Sequence, residues 1–236
     1  MIHMRRTIAA LFLFGISFGY VEAAVVVYLR AIYDPIRDRI HPGRGPDDLF
    51  PLISPQQLAG SGPENPRRLA IEIVREAATM LMLASVALAL ARNFHEWLAA
   101  FGVAFGIWDI TFYAFLRIMI HWPQSLNTWD ILFLIPVPWV GPIWSPVAVA
   151  LTMVVCGLIA LQRGIRVRLR DAAVILAGAA VIFASFIWDF RNTLAGGMPN
   201  PFNWPLFLAG EAVGLIGFAF AATAPGYRGS RTPRDS

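Results

Sequence analysis

Three charged residues interrupt an apolar stretch that is long enough to cross a bilayer. Glu72, Arg75 and Glu76 stand at i, i+3 and i+4, so they share one helical face, and Thr79 continues that face by one turn. A charge at membrane depth costs between about 2.5 and more than about 10 kcal/mol if it contacts lipid. This face is therefore predicted to point inward, onto polar partners or water.

Further carboxylates are predicted at a similar depth in other apolar stretches. Each lies seven or eight residues from an arginine or tryptophan that marks the outer end of its stretch. At about 1.5 Å per residue, they lie roughly 10–12 Å below that boundary. We therefore expect a pocket that opens outward. Its candidate binding residues are Glu22, Glu72, Arg75, Glu76, Asp109 and Glu211, and its candidate rim residues are Tyr113, Arg117, His121, Asp130, Asp189 and Arg191.

Carboxylates that crowd a medium of low dielectric repel one another, so some must be protonated or neutralised by a cation. Arg75 could neutralise one or two of them through bidentate pairs. The others could hold protons, a cationic substrate or a hard divalent or monovalent metal ion, with Glu22, Glu76 and Asp109 as ligands. Two carboxylates could also act as general acid and base. No sequence feature indicates an organic cofactor.

A structural interpretation explains the same residues without a ligand. Arg75 could pair with one or more of the acids and hold the helices in register, as polar groups do in small membrane bundles.

Composition places these residues in a polytopic membrane protein. Hydrophobic residues make up 57% of the 236, charged residues only 14%, and mean hydropathy is +0.60. A soluble domain is usually about 25% charged. All 19 basic side chains are arginine, which excludes a lysine Schiff base and a P-loop lysine. The basic runs lack interleaved aromatic residues, so no nucleic-acid partner is expected.

The hydropathy pattern predicts an all-α bundle of six transmembrane helices in one membrane domain, with the lipid bilayer as its surroundings. The predicted spans are residues 7–29, 69–91, 97–117, 143–161, 172–190 and 204–223. Residues 30–68 are expected to form an outer aqueous loop, too rich in proline for long helices. A broken Pro-rich segment is expected before the fourth span, with a half-helix near 129–135; the alternative is one kinked helix. Residues 224–236 are expected to form a disordered cytoplasmic tail.

Arginine placement predicts the orientation of these spans. If the N-terminus is inside, the short inner segments hold ten arginines and the short outer loops hold two, Arg117 and Arg191. The protein is therefore expected in the inner membrane of a bacterium, with both termini in the cytoplasm.

The first and third spans resemble each other. Residues 15–30 and 102–117 align without a gap, with five identities in 16 positions, and an acid is matched to an acid. Internal repeats occur in many transport folds, so an ancestral unit used twice is one interpretation. Similarity by composition alone is the other, because apolar segments draw on few residue types. Pairs of glycines four residues apart, at 15/19, 102/106 and 210/214, could pack against a neighbouring helix or a membrane-protein partner.

Three functions remain open on the sequence alone. The first is binding or transport of a cation or small polar solute, with proton coupling through the acids. The second is an intramembrane enzyme acting on a lipid or lipid-linked substrate, in which arginines hold an anionic head group. The third is a non-catalytic membrane subunit or assembly factor.

Overall fold

The computed structural model describes residues 2–45 and 48–224, and within these ranges the chain forms eight helices and one β-hairpin. In chain order the elements are α1 (Ile2–Ile40), α2 (Pro55–Gly60), α3 (Glu64–Leu90), α4 (Phe94–Ile120), β1 (Trp129–Phe133), β2 (Trp139–Pro142), α5 (Trp144–Arg163), α6 (Leu169–Phe186), α7 (Phe190–Leu194) and α8 (Trp204–Thr223). The tail predicted at 224–236 lies outside the described residues, apart from Ala224.

Six of these helices are long and apolar enough to cross a membrane, namely α1, α3, α4, α5, α6 and α8. The predicted all-α bundle with six candidate spans is therefore confirmed. Helices α1 and α4, whose sequences resemble each other, run parallel, since Gly15 packs on Ile107 and Gly19 packs on Thr111. We refer below to the end of the bundle where α1 ends and α3 begins as the loop end.

The prediction that residues 30–68 contain no long helix is wrong. Helix α1 continues to Ile40 with Pro35 inside it, and α3 already begins at Glu64. A single proline removes only one backbone hydrogen bond, so a helix with other support survives it. That support includes a local ion pair at 3.3 Å between Arg37 and Asp34, and arginines near the C-terminus, where the helix dipole favours cations.

The half-helix expected near 129–135 is also wrong, although the Pro-rich break before α5 is present. The segment is an antiparallel β-hairpin that pairs Trp129 with Pro142 and Ile131 with Val140. Pro136 and Pro138 disfavour a helix, and the aromatic and β-branched residues around them suit strands. A hairpin also pairs its own backbone groups, as any segment that enters the bundle must.

Close helix contacts at glycine hold the bundle together. An added Cβ at Gly106 would lie 2.4 Å from the Ala150 carbonyl oxygen, so α4 and α5 approach to backbone contact. At Gly178 it would lie 2.5 Å from the Gly214 nitrogen and 2.7 Å from the Gly210 oxygen, which brings α6 and α8 equally close. These contacts explain why apolar helices without a hydrophobic driving force between them pack in this order.

We expect Gly178→Val to lower the free energy of unfolding by about 1–3 kcal/mol, because the backbone atoms it meets move only if α6 and α8 separate. Thermal unfolding in detergent, followed by tryptophan fluorescence, measures the loss. Gly214→Ala is the matched control on the facing helix, since a Cβ there meets open space and alanine favours helix over glycine. Equal melting temperatures for Gly178→Val and the wild type would contradict the close approach.

Candidate functional site

A cavity of about 360 Å³ lies between α1, α3, α4 and the β-hairpin, near the loop end of the bundle. We call it the central cavity. Residues 49–58, which include the start of α2, form part of its wall. It gathers seven of the twelve residues predicted for the site: Glu22, Glu72, Arg75, Glu76, Asp109, Tyr113 and Asp130.

Arg75 is the centre of an ion-pair cluster that joins α3 to α1. Its Nη1 atom pairs with the carboxylate of Glu22, and its Nε atom donates to both carboxylate oxygens of Glu72 at 2.9 Å. Thr79 Oγ1 donates to Glu22 Oε1 at 2.9 Å and accepts from Arg75 Nη1 at 3.1 Å. The predicted contact between Arg75 and an acid is present, and one arginine serves two carboxylates.

Glu76 accepts hydrogen bonds from the β-hairpin rather than from Arg75. Both of its oxygens accept the backbone N–H of Leu134 at 3.0 Å, and Oε1 also accepts that of Ile135 at 3.3 Å. Glu76 lies twelve residues inside α3, roughly 18 Å along the helix, so the hairpin tip reaches deep into the bundle. Trp139 Nε1 donates to the Ile135 carbonyl at 2.8 Å and closes the tip.

Replacing Glu76 with Ala is expected to loosen the hairpin tip, because hydrogen bonds to a charged acceptor contribute about 1.5–3 kcal/mol each. The readout is thiol labelling of Val137→Cys in a Cys156→Ser background, which leaves no other cysteine. Opening should become at least about tenfold more frequent, and labelling should accelerate in proportion. Glu96→Gln, at the opposite end of the bundle, is the control. Unchanged labelling in Glu76→Ala would show that the carboxylate does not hold the tip.

Asp109, on α4, contributes a carboxylate oxygen that no protein group satisfies. The residue is 8% exposed, and its Oδ2 atom has no hydrogen-bond partner; neither does the neighbouring Trp108 Nε1. One turn above, Tyr113 donates its hydroxyl to Asp130 Oδ2 at 3.0 Å. Burial raises the pKa of Asp130 to about 6, against the opposing effects of this hydrogen bond and of Arg30.

The acids Glu22 and Asp109 do not lie at the same depth in the bundle, contrary to the expectation from the sequence. Since Gly19 packs beside Thr111, Glu22 is level with the part of α4 near residue 114. Asp109 is therefore roughly 7 Å deeper in the bundle than Glu22. The cavity has its ion-pair cluster halfway down and its unpartnered carboxylate at the floor.

The upper wall of the cavity consists of residues that the sequence analysis placed in a loop. Arg30, Tyr33, Asp34 and Arg37 all lie on the α1 face that begins at Glu22. Arg30 stacks over the Trp122 ring at 4.1 Å. They follow Glu22 by eight, eleven, twelve and fifteen residues, which is the spacing of one helical face. This signal was present in the sequence, but the first predicted span ended at residue 29.

The remaining predicted residues do not join the cavity. Glu211 accepts a hydrogen bond from Thr152 at 3.1 Å, between α8 and α5. Arg117 donates to the backbone carbonyls of His121 and Pro123 and so holds the turn after α4. Their positions correct the expectation that all the acids share one floor and all the polar outer residues share one rim.

Asp189 and Arg191 serve the loop between α6 and α8. Partial burial opposes ionisation of Asp189, yet hydrogen bonds from the Asn200 backbone N–H and from the side chains of Asn192 and Asn200 hold its pKa below the usual value. Arg191 lies 5.8 Å from the ring of its neighbour Phe190. Both residues are thus occupied by local structure.

The metal site proposed from the sequence is not assembled. Across residues 2–45 and 48–224, no group of three or more His, Cys, Asp or Glu side chains could hold a metal ion. Glu22 is taken by Arg75 and Thr79, and Glu76 by the hairpin backbone. Asp109 is the member of the predicted set whose carboxylate keeps a free oxygen.

The Gly-xxx-Gly faces pack inside the chain. Gly15 and Gly19 contact α4, Gly102 and Gly106 contact α5, and Gly210 contacts α6; of the six glycines, Gly214 is the one at which a Cβ would meet open space. These faces therefore offer little free surface to a membrane-protein partner.

Unsatisfied polar atoms concentrate in the central cavity. In the described part of the chain, nine buried side-chain nitrogen or oxygen atoms lack a partner, and five belong to residues that line this cavity: Tyr33, Arg37, Trp108, Asp109 and Trp122. Six acids and three arginines line it, for a net formal charge of −3. Buried polar groups are otherwise satisfied in folded proteins, so these atoms are sites for water or for a polar ligand.

Comparison of the chain with protein-family models, with curated proteins and with solved structures finds no match. The chemistry of the central cavity is therefore the basis on which a function is assigned.

Proposed function

We propose that this protein binds a small organic cation, an amine-bearing solute, in the central cavity, and that it transports this solute across the inner membrane of a bacterium. The observation that carries the proposal is the buried, unpartnered Asp109 oxygen at the floor of a cavity with net negative charge. An ammonium group would supply the missing donor and balance part of that charge.

The walls of the cavity suit an organic cation better than a bare ion. Trp108, Phe112, Tyr113, Trp122 and Phe133 line it, and the faces of such rings attract cations over distances up to about 6 Å. A volume of about 360 Å³ falls in the range of small-molecule sites. An amine with a short apolar body would contact the aromatic walls with its body and the acidic floor with its ammonium group.

Orientation follows from the arginine distribution, which supports cytoplasmic termini and a cavity entered from the opposite side. Transport would then require the other half of the bundle to open. That half is closed by an apolar cluster that includes Leu11, Phe18, Leu83 and Val103. We propose that α1 and α4, the repeat-related pair, move relative to their neighbours to expose Asp109 to the cytoplasm, with proton exchange at this carboxylate as the coupling step.

The test is binding of an alkylamine to the purified protein, compared with the isosteric alcohol, by calorimetry in nanodiscs. Hexylamine should bind and stabilise the protein, whereas hexanol should bind at least about tenfold more weakly because it cannot pair with a carboxylate. Proteoliposomes should then accumulate the amine when a proton gradient is imposed. Equal affinity for the amine and the alcohol would remove the basis of the proposal.

The closed half of the bundle favours a second candidate, an enzyme that acts on a lipid-linked substrate without moving it across. A second cavity, beside Thr7 and Arg92, is small at about 10 Å³, and its lining shares no residue with the central cavity. Two arms of the proteoliposome experiment separate the candidates. Accumulation of unaltered amine supports transport, and conversion of an amine-bearing lipid without accumulation supports the enzyme.

A further inference from the structure

The upper wall of the central cavity carries hydrogen-bond donors that an amine cannot use. Tyr33 Oη, Arg37 Nε and Trp122 Nε1 are buried and have no partner. Arg37 is 5% exposed and Trp122 is 1% exposed. A guanidinium and an indole only donate. An ammonium group also only donates, so it leaves the Arg37 and Trp122 nitrogens unsatisfied wherever it binds.

From this arrangement we infer that the ligand is a zwitterion: an amine at the Asp109 end and an anionic group, carboxylate or phosphate, at the Tyr33, Arg37 and Trp122 end, joined by an apolar chain. The inference rests on the proposed function for the amine end and adds the second end.

Arg37 keeps a donor beside its ion pairs. Its Nη2 atom pairs with Asp34 at 3.3 Å and lies 3.8 Å from Asp38, while its Nε atom has no partner. Together with the Trp122 indole N–H and the Tyr33 hydroxyl, this Nε–H gives the upper wall three donors without partners, which suits an anionic acceptor.

The opposite end has the complementary chemistry. When Asp109 is ionised, its carboxylate oxygens accept hydrogen bonds and cannot donate them. Its Oδ2 atom has no partner in the protein. Between the ends, Val26, Leu29, Phe112 and Ile131 contribute apolar wall. Along the cavity the anion site is therefore followed by a wall of apolar side chains and the internally paired Glu22, Arg75 and Glu72, and then by the cation site.

The two ends are far enough apart to require an elongated molecule. Tyr33 lies eleven residues above Glu22, roughly 16 Å along α1, and Asp109 lies roughly 7 Å below Glu22. Long side chains on a helix point toward its N-terminus, which for α1 is down into the cavity, so the separation of the binding atoms is shorter than this sum, on the order of 15–20 Å. With a hydrogen bond of about 3 Å at each end, an ω-aminoalkanoate of about eight to eleven carbons spans such a distance.

The experiment compares three probes of matched length on the wild-type protein in nanodiscs: 8-aminooctanoate, octylamine and octanoate. The aminoalkanoate should bind at least about tenfold more tightly than either singly charged analogue, because it alone satisfies both ends. 8-aminooctyl phosphate tests whether the upper site prefers phosphate to carboxylate. A length series from four to eleven carbons should show an optimum rather than a steady rise.

Tyr33→Phe removes a single oxygen atom and keeps the ring. It should weaken 8-aminooctanoate about tenfold and leave the affinity for octylamine unchanged, because octylamine has no group for the upper wall. Arg37→Gln should remove the advantage of the aminoalkanoate over octylamine. Because Arg37 also pairs with Asp34, the Tyr33→Phe result decides the question if Arg37→Gln does not fold.

Different outcomes overturn different statements. Equal affinity for 8-aminooctanoate and octylamine overturns the zwitterion and leaves the proposed function standing. Octanoate binding without octylamine binding overturns the proposed function itself. If phosphatidylethanolamine vesicles displace octylamine while none of the aminoalkanoates binds, the anion site belongs to a lipid head group and the zwitterionic solute is excluded.

Discussion

Asp109→Asn should abolish amine binding while leaving the protein folded and no less stable. Loss of one partner from a buried charge pair costs about 2–5 kcal/mol, which corresponds to a loss of affinity of at least about 30-fold. The fold should not suffer, because the Asp109 oxygen has no hydrogen-bond partner in the protein. Removing an uncompensated buried charge relieves a cost, so the melting temperature should stay level or rise. Such an exchange of stability for function is typical of binding sites.

Glu211→Gln is the matched control for this prediction. Glu211 is also an acid within a candidate span, and its Oε1 atom likewise lacks a partner, but it does not line the central cavity. Calorimetric measurement of amine binding by the two variants therefore distinguishes the effect of losing an acid in the central cavity from that of losing any intramembrane acid. If both lose binding equally, the effect is general to intramembrane charge, and Asp109 is not the amine site.

Arg75→Ala should be the most destabilising single change in the site. It strands the carboxylates of Glu22 and Glu72, which both depend on the guanidinium. Breaking a buried pair from one side costs about 3–5 kcal/mol, and the lower figure applies here because the Arg75 side chain is 28% exposed. Thermal unfolding in detergent measures the loss. Arg92→Ala breaks an ion pair with Glu96 whose arginine is 65% exposed, and it should cost at most about 1 kcal/mol.

A compensating variant tests whether the ion-pair cluster is structural. Replacing Arg75 with Met and both Glu22 and Glu72 with Gln removes all three charges at once. Because every group in the cluster is satisfied by another member, we expect this triple variant to recover most of the stability and to retain amine binding within a few-fold. Recovery of the fold with loss of binding would instead place the cluster in the ligand site.

Some features of the site were accessible from residue types alone. The spacing of Glu72, Arg75, Glu76 and Thr79 required an inward polar face, because lipid does not solvate charge. That face does point into a cavity shared with Glu22 and Asp109. The pattern could not predict the partner of each acid. Glu72 binds Arg75, whereas Glu76, one turn further along the helix, binds the backbone of the hairpin. Helical spacing defines a direction, and partners depend on what other segments bring there.

The errors came from segments where local rules compete. Proline counts predicted a loop after residue 29, yet α1 continues past Pro35 because ion pairs and packing outweigh one lost hydrogen bond. As a result, the upper wall with Arg30, Tyr33 and Arg37 was missed. A half-helix was expected near residues 129–135, but Pro136, Pro138 and the aromatic residues around them favour a hairpin, which supplies Asp130 to the cavity.

Taken by itself, the sequence determined the class of protein, the six apolar helices and the inward orientation of the charged face, since these follow from hydropathy and from the energy of charge in lipid. Tertiary structure alone decided which charges neutralise one another and which remain. Arg75 forms ion pairs with Glu22 and Glu72, whereas Asp109 Oδ2 and the donor atoms of the upper wall have no partner. The reason is physical: a hydrogen bond depends on separations of a fraction of an ångström between distant segments, and residue spacing along one helix carries no information about them.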